Sequence, residues 1–470
     1  MTAEPTSLEA YLDAHRERRI AAYLDFLRVP SISGTPEHAA DCRRAAEMLA
    51  AELRAAGAEH VEICETGGHP VVYADHLHAA DAPTVLVYGN YDVQPVDPLD
   101  LWLTAPFEPF VADGRVVGRG AADDKGQVQM HVRALEAMLA TRGDLPVNVK
   151  YVFEGEEESS SAHLDAWLEG DRDRLTADLA LISDTGFFVG NLPAITVGLR
   201  GIMAAEIDVT GAPLDLHSGS YGGAVHNPVN ALCGIVAALK GPDGRILVPG
   251  FYGDVVPLTD ADRAAYAALP FDEEAFRAQV GVPALVGEVG YSTLERASAR
   301  PTLDVNGMWG GFQGEGSKTI IPAHAHAKVT CRLVADQDPD RIFELFRDYV
   351  LRIAPPGVTV EVRGLGGGRP SLTPIDHPAA QAAARAIEAT FGVAPLYMRE
   401  GGSIPVAASF ETIVGLPVVL LGFANDDCQA HAPNESMVLA NFETGIRTIA
   451  ACFDELAMAD LGAASGRGDG

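Results

Sequence analysis

The chain lacks any apolar run approaching the ~20 consecutive residues needed to cross a bilayer, so no membrane span is expected. Basic residues are scarce, 34 Lys and Arg against 65 Asp and Glu, which leaves a net charge of −31. A surface of that sign repels phosphate backbones and anionic lipid, and argues against nucleic acid or a membrane as partner. The six cysteines (Cys42, Cys64, Cys233, Cys331, Cys428 and Cys452) form no C-x-x-C pair. That argues against a disulfide framework and against a thiolate metal site. No H-E-x-x-H is present, and the nearest approach to a phosphate loop, at 311–319, has Ser317 between its glycine and Lys318. The first residues lack a basic stretch followed by an apolar one, so no secretory signal is expected and the location reads as cytoplasmic.

What is present suffices for two domains, since 470 residues exceed the roughly 100–200 of a single one. Residues 8–28 and 36–56 read as amphipathic helices. Short, nearly all-apolar runs follow at 84–88, 147–153 and 179–182, as expected of strands covered on both faces of a mostly parallel sheet. Strand-like segments at 195–199, 204–209, 325–334 and 358–362, with helices at 227–239 and 340–353, suit a separate α+β domain. Between them, 241–300 reads as irregular, and the glycine-rich 364–368 closes this middle region. A helix at 378–391, a buried strand at 416–422 and a terminal helix at 436–456 return to the first pattern.

The chemistry gathers where strands end, which is where open α/β sheets bind their ligands. In chain order come Asn90 and Asp92, then Asp123 and Asp124 in a glycine turn, then Glu154, Glu156, Glu157 and Glu158, then Asp184. Far downstream, Asp426, Asp427, His431 and Glu435 follow another strand. Carboxylates converging with an imidazole are costly unless cations neutralise them. Two divalent metals sharing one carboxylate do this well. His69, His76 and His78 read as surface residues, and His131 as a helix–sheet packing residue.

This set resembles the M20 metallopeptidases, in the branch that holds cytosolic nonspecific dipeptidase and carnosinase. The similarity is carried by Asp-Val-Gln-Pro at 92–95, by Gly-Arg-Gly followed by Asp-Asp-Lys-Gly at 118–126, and by Glu-Gly-x-Glu-Glu from Glu154. It continues in Ile-Ser-Asp at 182–184, Asp215-Leu-His217-Ser-Gly, the Arg399-Glu-Gly-Gly-Ser-Ile-Pro run and Ala430-His431, over almost the whole chain. The resemblance implies an α/β catalytic domain with a mostly parallel sheet flanked by helices, interrupted by an inserted α+β lid and dimerisation domain. The boundaries expected are 1–194 and 373–462 for the catalytic parts, 195–372 for the insertion, and 463–470 for a disordered tail.

Carried over position by position, the resemblance implies two divalent ions, Zn or Mn, in each subunit of a homodimer joined through the inserted domain. Asp123 bridges them. Asp184 and Asn90 complete one metal site, and Glu158 and His431 the other. Glu157 is the general base for a water activated between the metals, and Asp92 orients the first ligand. His217 serves the neighbouring subunit's site by stabilising the oxyanion, and Arg332, with Gly402 and Ser403, grips the carboxylate of a small peptide. One position departs from the pattern: the family has histidine where this chain has Asn90, whose amide oxygen is a weaker zinc donor. The activity expected is hydrolysis of dipeptides or short peptides. Two alternatives are an N-acyl amino acid amidohydrolase of the same fold and a peptide-binding relative without turnover.

Overall fold

The computed structural model describes residues 7–402 and 404–461. Ser403 and the expected disordered tail lie outside the described residues. The chain divides into two compact units, one running to Val197 and resuming over Thr373–Met398 and from Ser409 onward, the other comprising Gly198–Leu372 and Arg399–Ala408.

The first unit opens with two short helices rather than the single one expected over 8–28. Leu8–Ala14 ends where His15 takes a non-helical ψ of 15°, and α1 (Arg16–Leu27) follows, burying Tyr23, Phe26 and Leu27. Helix α2 (Ala39–Ala56) buries Cys42, Ala45, Ala46, Leu49 and Leu53, the i, i+3, i+4 stripe of a one-faced helix. Strands β1 (Glu59–Cys64), β2 (Val71–His76) and β3 (Thr84–Asn90) come next. Helix α3 (Lys125–Arg142) is buried from Lys125 through Met138. Then come β4 (Asn148–Glu154), β5 (Leu179–Ile182) and β6 (Ala194–Leu199).

In the second unit, β7 (Gly201–Thr210), α4 (Pro228–Ala237), β8 (Thr302–Gly310), β9 (His324–Leu333), α5 (Pro339–Ile353) and β10 (Thr359–Gly368) form an α+β layer pair. The sheet order is β8-β9-β7-β10, all antiparallel. Alternate residues Met203, Ala205, Ile207 and Val209 of β7 share a core with Leu232, Ile235, Ile342 and Phe346 of the two helices. Residues 241–300 are not irregular, as the sequence suggested, but carry helices Asp260–Ala268, Glu273–Val280 and Thr293–Ser298. The first and last start on reciprocal capping boxes, Thr259 with Asp262 and Ser292 with Glu295. The glycine run 364–368, which closes the middle region, lies within β10. Its register slips between Gly364 and Gly366, where Gly366 has φ 100°, a bulge that needs glycine's freedom.

Back in the first unit, α6 (Pro378–Phe391), β11 (Val418–Leu420) and α7 (Leu439–Ala457) complete the fold, with α7 packed on both α6 and α3. The large sheet runs β1-β2-β4-β3-β5-β11-β6. Its centre, from β4 to β11, is parallel, and β1, β2 and β6 pair antiparallel at the flanks. Tyr73, Val85, Val87, Tyr88, Leu181 and Val419 are buried, as two covered faces require. The parallel strands therefore end side by side, and their C-terminal ends carry the acidic clusters.

Candidate metal centre

Asn90 is the last residue of β3, and Asp184 lies two residues past β5. Tyr88 pairs with Ile182 across the parallel ladder, so both residues stand two positions beyond the same rung. The tight turn Glu157–Ser159 after β4 presents Glu157 and Glu158. Asp123 ends the glycine turn that leads into α3, and His431 lies in the loop after β11. Three of the expected ligands meet directly: His431 Nε2 lies 2.8 Å from Asp123 Oδ2 and 3.1 Å from Glu158 Oε2. Among the described residues these three offer ligand atoms close enough to share one cation.

Asn90 is fully buried, with its amide nitrogen turned toward Asp92. Its Nδ2 donates to the backbone oxygen and to Oδ1 of Asp92, each at 3.4 Å, and its Oδ1 is buried without a hydrogen-bond partner among the described residues. Asp92 is equally buried. Its Oδ2 accepts from Ser33 Oγ at 2.6 Å and from the Glu158 backbone N–H at 3.0 Å. One carboxylate thus ties the end of β3 to the Glu158 turn. Gln94, inside the Asp-Val-Gln-Pro segment, holds the same turn by donating to Glu158 Oε2 at 2.9 Å and to its carbonyl at 3.0 Å.

The electrostatics follow from crowding. Burial and then the neighbouring Glu158 push Glu157 up to about 9, and burial and then Asp123 push Glu158 up to about 7. Asp184 is raised well above the carboxylate range by burial and the charge of Asp123. Hydrogen bonds to Asp123 and Glu158 raise His431 to about 10, so without a metal a protonated imidazole supplies the balancing positive charge. Carboxyl groups this close keep their protons or hold cations. The unpartnered Asn90 oxygen, the crowded carboxyls and the imidazole are a donor set that fits divalent metal.

A pH dependence follows for metal-free protein. Glu157, Glu158 and His431 all have folded pKa values above their ordinary values of 4.5 and 6.5. The folded state therefore binds more protons than the unfolded state between those values, and stability must fall as pH rises. Thermal unfolding of chelated protein is expected to shift downward between about pH 5 and pH 9. Added divalent metal should restore more stability at the alkaline end. A flat profile with and without metal would count against cation binding here.

Sequence reasoning placed Glu435 in the downstream cluster but gave it no role, and it is the residue that builds the Asp123 turn. Glu435 is fully buried, and its Oε1 accepts from the Ala122 and Asp123 backbone N–H groups at 2.8 and 3.0 Å. Its Oε2 accepts from Gly120 N–H at 3.0 Å and Arg119 Nη1 at 2.7 Å. The signal was its place four residues after His431. Lys125 fixes the start of α3 from the other side, donating to the Val29 carbonyl at 2.6 Å. His76 is buried against Asp144 at 3.0 Å, not at the surface as expected, because β2 is covered on both faces. His131 does pack helix on sheet, with Nε2 2.8 Å from Ser183 Oγ.

The remaining candidates belong to the second unit. His217 is exposed, and its Nδ1 accepts from Gly219 and Ser220 N–H at 3.1 and 3.2 Å, which leaves the neutral ring's proton on Nε2. Arg332 lies on β9, opposite Ile202 of β7. Beside it is a guanidinium the sequence did not flag: Arg200, lowered to about 10 by burial and then by the charge of Arg332. The Arg200 backbone N–H donates to the Gly402 carbonyl at 3.1 Å and its Nε to the Gly401 carbonyl at 3.1 Å.

The model of peptidase family M20/M25/M40 matches residues 86–455. The Cys-Gly metallodipeptidase dug1 of Schizosaccharomyces pombe is 31% identical over 95% of this chain and 97% of its own length. The human Beta-Ala-His dipeptidase is 32% identical over 95% of this chain and 92% of its own. Among solved structures, an M20 family metallo-carboxypeptidase from Sulfolobus solfataricus superposes with a TM-score of 0.81 at 31% identity, covering 94% of this chain and 99% of that one.

Proposed function

Because the chain belongs to peptidase family M20/M25/M40, in the dipeptidase and carnosinase branch, and is a metallopeptidase, we propose that it hydrolyses dipeptides and short peptides with Glu157 as general base. The observation that carries the reading is the convergence of Asp123, Glu158 and His431 next to a base on the same turn. Its relatives of similar length include dipeptidases acting on Cys-Gly and on Beta-Ala-His.

When bound, two divalent ions, zinc or manganese, supply a water of lowered pKa and a positive site for the carbonyl oxygen. Asp123 would be shared between them, with Glu158 and His431 on one side and Asn90 and Asp184 on the other. Glu157 takes the water's proton and returns it to the leaving amine. Asp92 holds the Asn90 amide and the Glu158 turn in place. Arg332, with Arg200 beside it, suits a substrate carboxylate, which a planar guanidinium grips with two parallel hydrogen bonds. Gly402 and Ser403 would complete that pocket. His217 donates from Nε2 to the developing oxyanion of a second copy's site, so the working unit is a dimer joined through the inserted domain. The free thiols, most of them buried, support a cytoplasmic setting.

Substrate class is tested on protein stripped of metal and reloaded with zinc or manganese. Dipeptides are expected to turn over faster than N-acetyl amino acids. The reverse order would favour the amidohydrolase, and dipeptide binding without product in every metal form would favour the non-turnover relative.

A further inference from the structure

We propose that the two metal positions select different ions: the Asn90–Asp184 side takes a hard divalent cation such as Mn2+ or Mg2+, and the Glu158–His431 side takes Zn2+. This rests on the metallopeptidase reading above and concerns which ions that site holds.

The argument begins with the orientation of one amide. An Asn side chain has a donor end and an acceptor end. Asp92 offers two acceptors to Asn90, its backbone carbonyl and its Oδ1, both 3.4 Å from Nδ2. The nitrogen is thereby committed to Asp92, and the carbonyl oxygen must face the other way. That oxygen is completely buried and has no hydrogen-bond partner among the described residues. An orphaned buried acceptor is costly, so the native state should satisfy it. A cation does so without a donor.

The candidate ligands that the fold places on this side all bind through oxygen. Asp184 stands two positions beyond the rung that joins β3 to β5, as Asn90 does, and Asp123 is the strongest charged neighbour of Asp184. The candidate donors on this side are therefore one amide oxygen and two carboxylates. His131 is the other buried imidazole: its Nε2 is engaged by Ser183 Oγ at 2.8 Å, its Nδ1 has no partner among the described residues, and the absence of nitrogen coupling to bound Mn2+ is therefore also the test that His131 stays out of this position. On the other side His431 adds a ring nitrogen to Glu158 and Asp123. Oxygen donors favour Mg2+ and Mn2+, whereas imidazole suits Zn2+. Two positions that share Asp123 thus differ in the one donor that discriminates between these ions.

The test loads stripped protein with equimolar, limiting Zn2+ and Mn2+ and measures metal per chain by elemental analysis. One zinc and one manganese are expected. Electron spin-echo spectroscopy of the bound Mn2+ should then show no coupling to a directly bound imidazole nitrogen. Asn90→His should introduce that coupling under Mn2+ alone and shift the competition toward two zinc ions, by about tenfold or more. Asp184→Asn is a second variant, expected to lose manganese while keeping zinc. Two tightly held zinc ions in the unaltered chain that Mn2+ does not displace would overturn the proposal, as would an Asn90→His protein with unchanged preference. Dipeptide turnover measured on the same samples separates the two readings. Failed selectivity with retained turnover removes only the mixed-metal assignment, whereas absent turnover in every metal form removes the peptidase reading on which it rests.

Discussion

Glu157→Gln is expected to lower dipeptide turnover by about 10²–10⁴-fold, the usual contribution of a positioned acid–base group, while metal per chain stays close to that of the unaltered protein. Glutamine keeps the shape and loses the proton shuttle, and Glu157 lies outside the trio that meets around His431. Glu158→Gln should behave in the opposite way and deplete metal first, because Glu158 Oε2 faces His431 at 3.1 Å. Metal content and turnover measured on both variants decide the matter, and swapped phenotypes would move the base by one residue. The same Glu157→Gln protein tests the proposed dimer. Mixed with His217→Ala protein, it should regain activity, since one site of the mixed pair then has both an intact base and an intact partner histidine. No recovery after proven subunit exchange would confine His217 to its own chain or remove its role.

Glu435→Ala is expected to cost about 3–5 kcal/mol, the usual penalty for leaving one member of a buried ion pair behind. Arg119 is 1% exposed and Glu435 is completely buried, so water cannot replace the lost carboxylate. Three backbone N–H groups of the turn, at Gly120, Ala122 and Asp123, would lose their acceptor at the same time. Denaturant unfolding and metal analysis should therefore change together. Glu435→Gln is the milder variant: one amide oxygen can still accept from Ala122 and Asp123, but the amide N–H groups would face Arg119 and Gly120, which are donors themselves. It should fold, with reduced stability and weaker metal retention. An alanine variant with unaltered unfolding midpoint and full metal would show that the Asp123 turn holds itself.

The candidate ligands were legible in the sequence because each is of a chemically distinctive type at the end of an apolar run. Their assignment to metals came from the M20 resemblance, and the structure brings Asp123, Glu158 and His431 together. Apart from Asp92, the residues that hold them were not legible, because their partners are remote: Glu435 reaches across more than three hundred positions to Arg119, and Gln94 reaches the Glu158 turn from another strand. Arg200 was missed for a related reason, as it gains its character from Arg332 on a neighbouring strand. In the fold, the parallel centre of the sheet was visible in all-apolar segments. The helices within 241–300 were obscured by prolines and alanines, although the Thr259–Asp262 and Ser292–Glu295 capping pairs were there to be read. The glycine run in β10 carried no strand signal since glycine is poor strand material, yet a Cβ at Gly367 would come within 2.5 Å of the Ile202 carbonyl, so the close pairing requires it.

Strand β11 has a consequence for how the molecule comes into being. It lies in the sheet between β5 and β6, two strands that leave the ribosome one after the other, yet it is itself among the last segments made. A nascent chain therefore carries β5 with one edge open throughout synthesis of the whole second unit. An open apolar edge is a template for unwanted pairing, and contacts this distant along the chain form slowly. His431 lies in the loop after β11, so the imidazole meets Asp123 and Glu158 only when that gap closes. Completion of the sheet and completion of the proposed metal site are then one event, and a chain that stalls before it has the carboxylates without the imidazole.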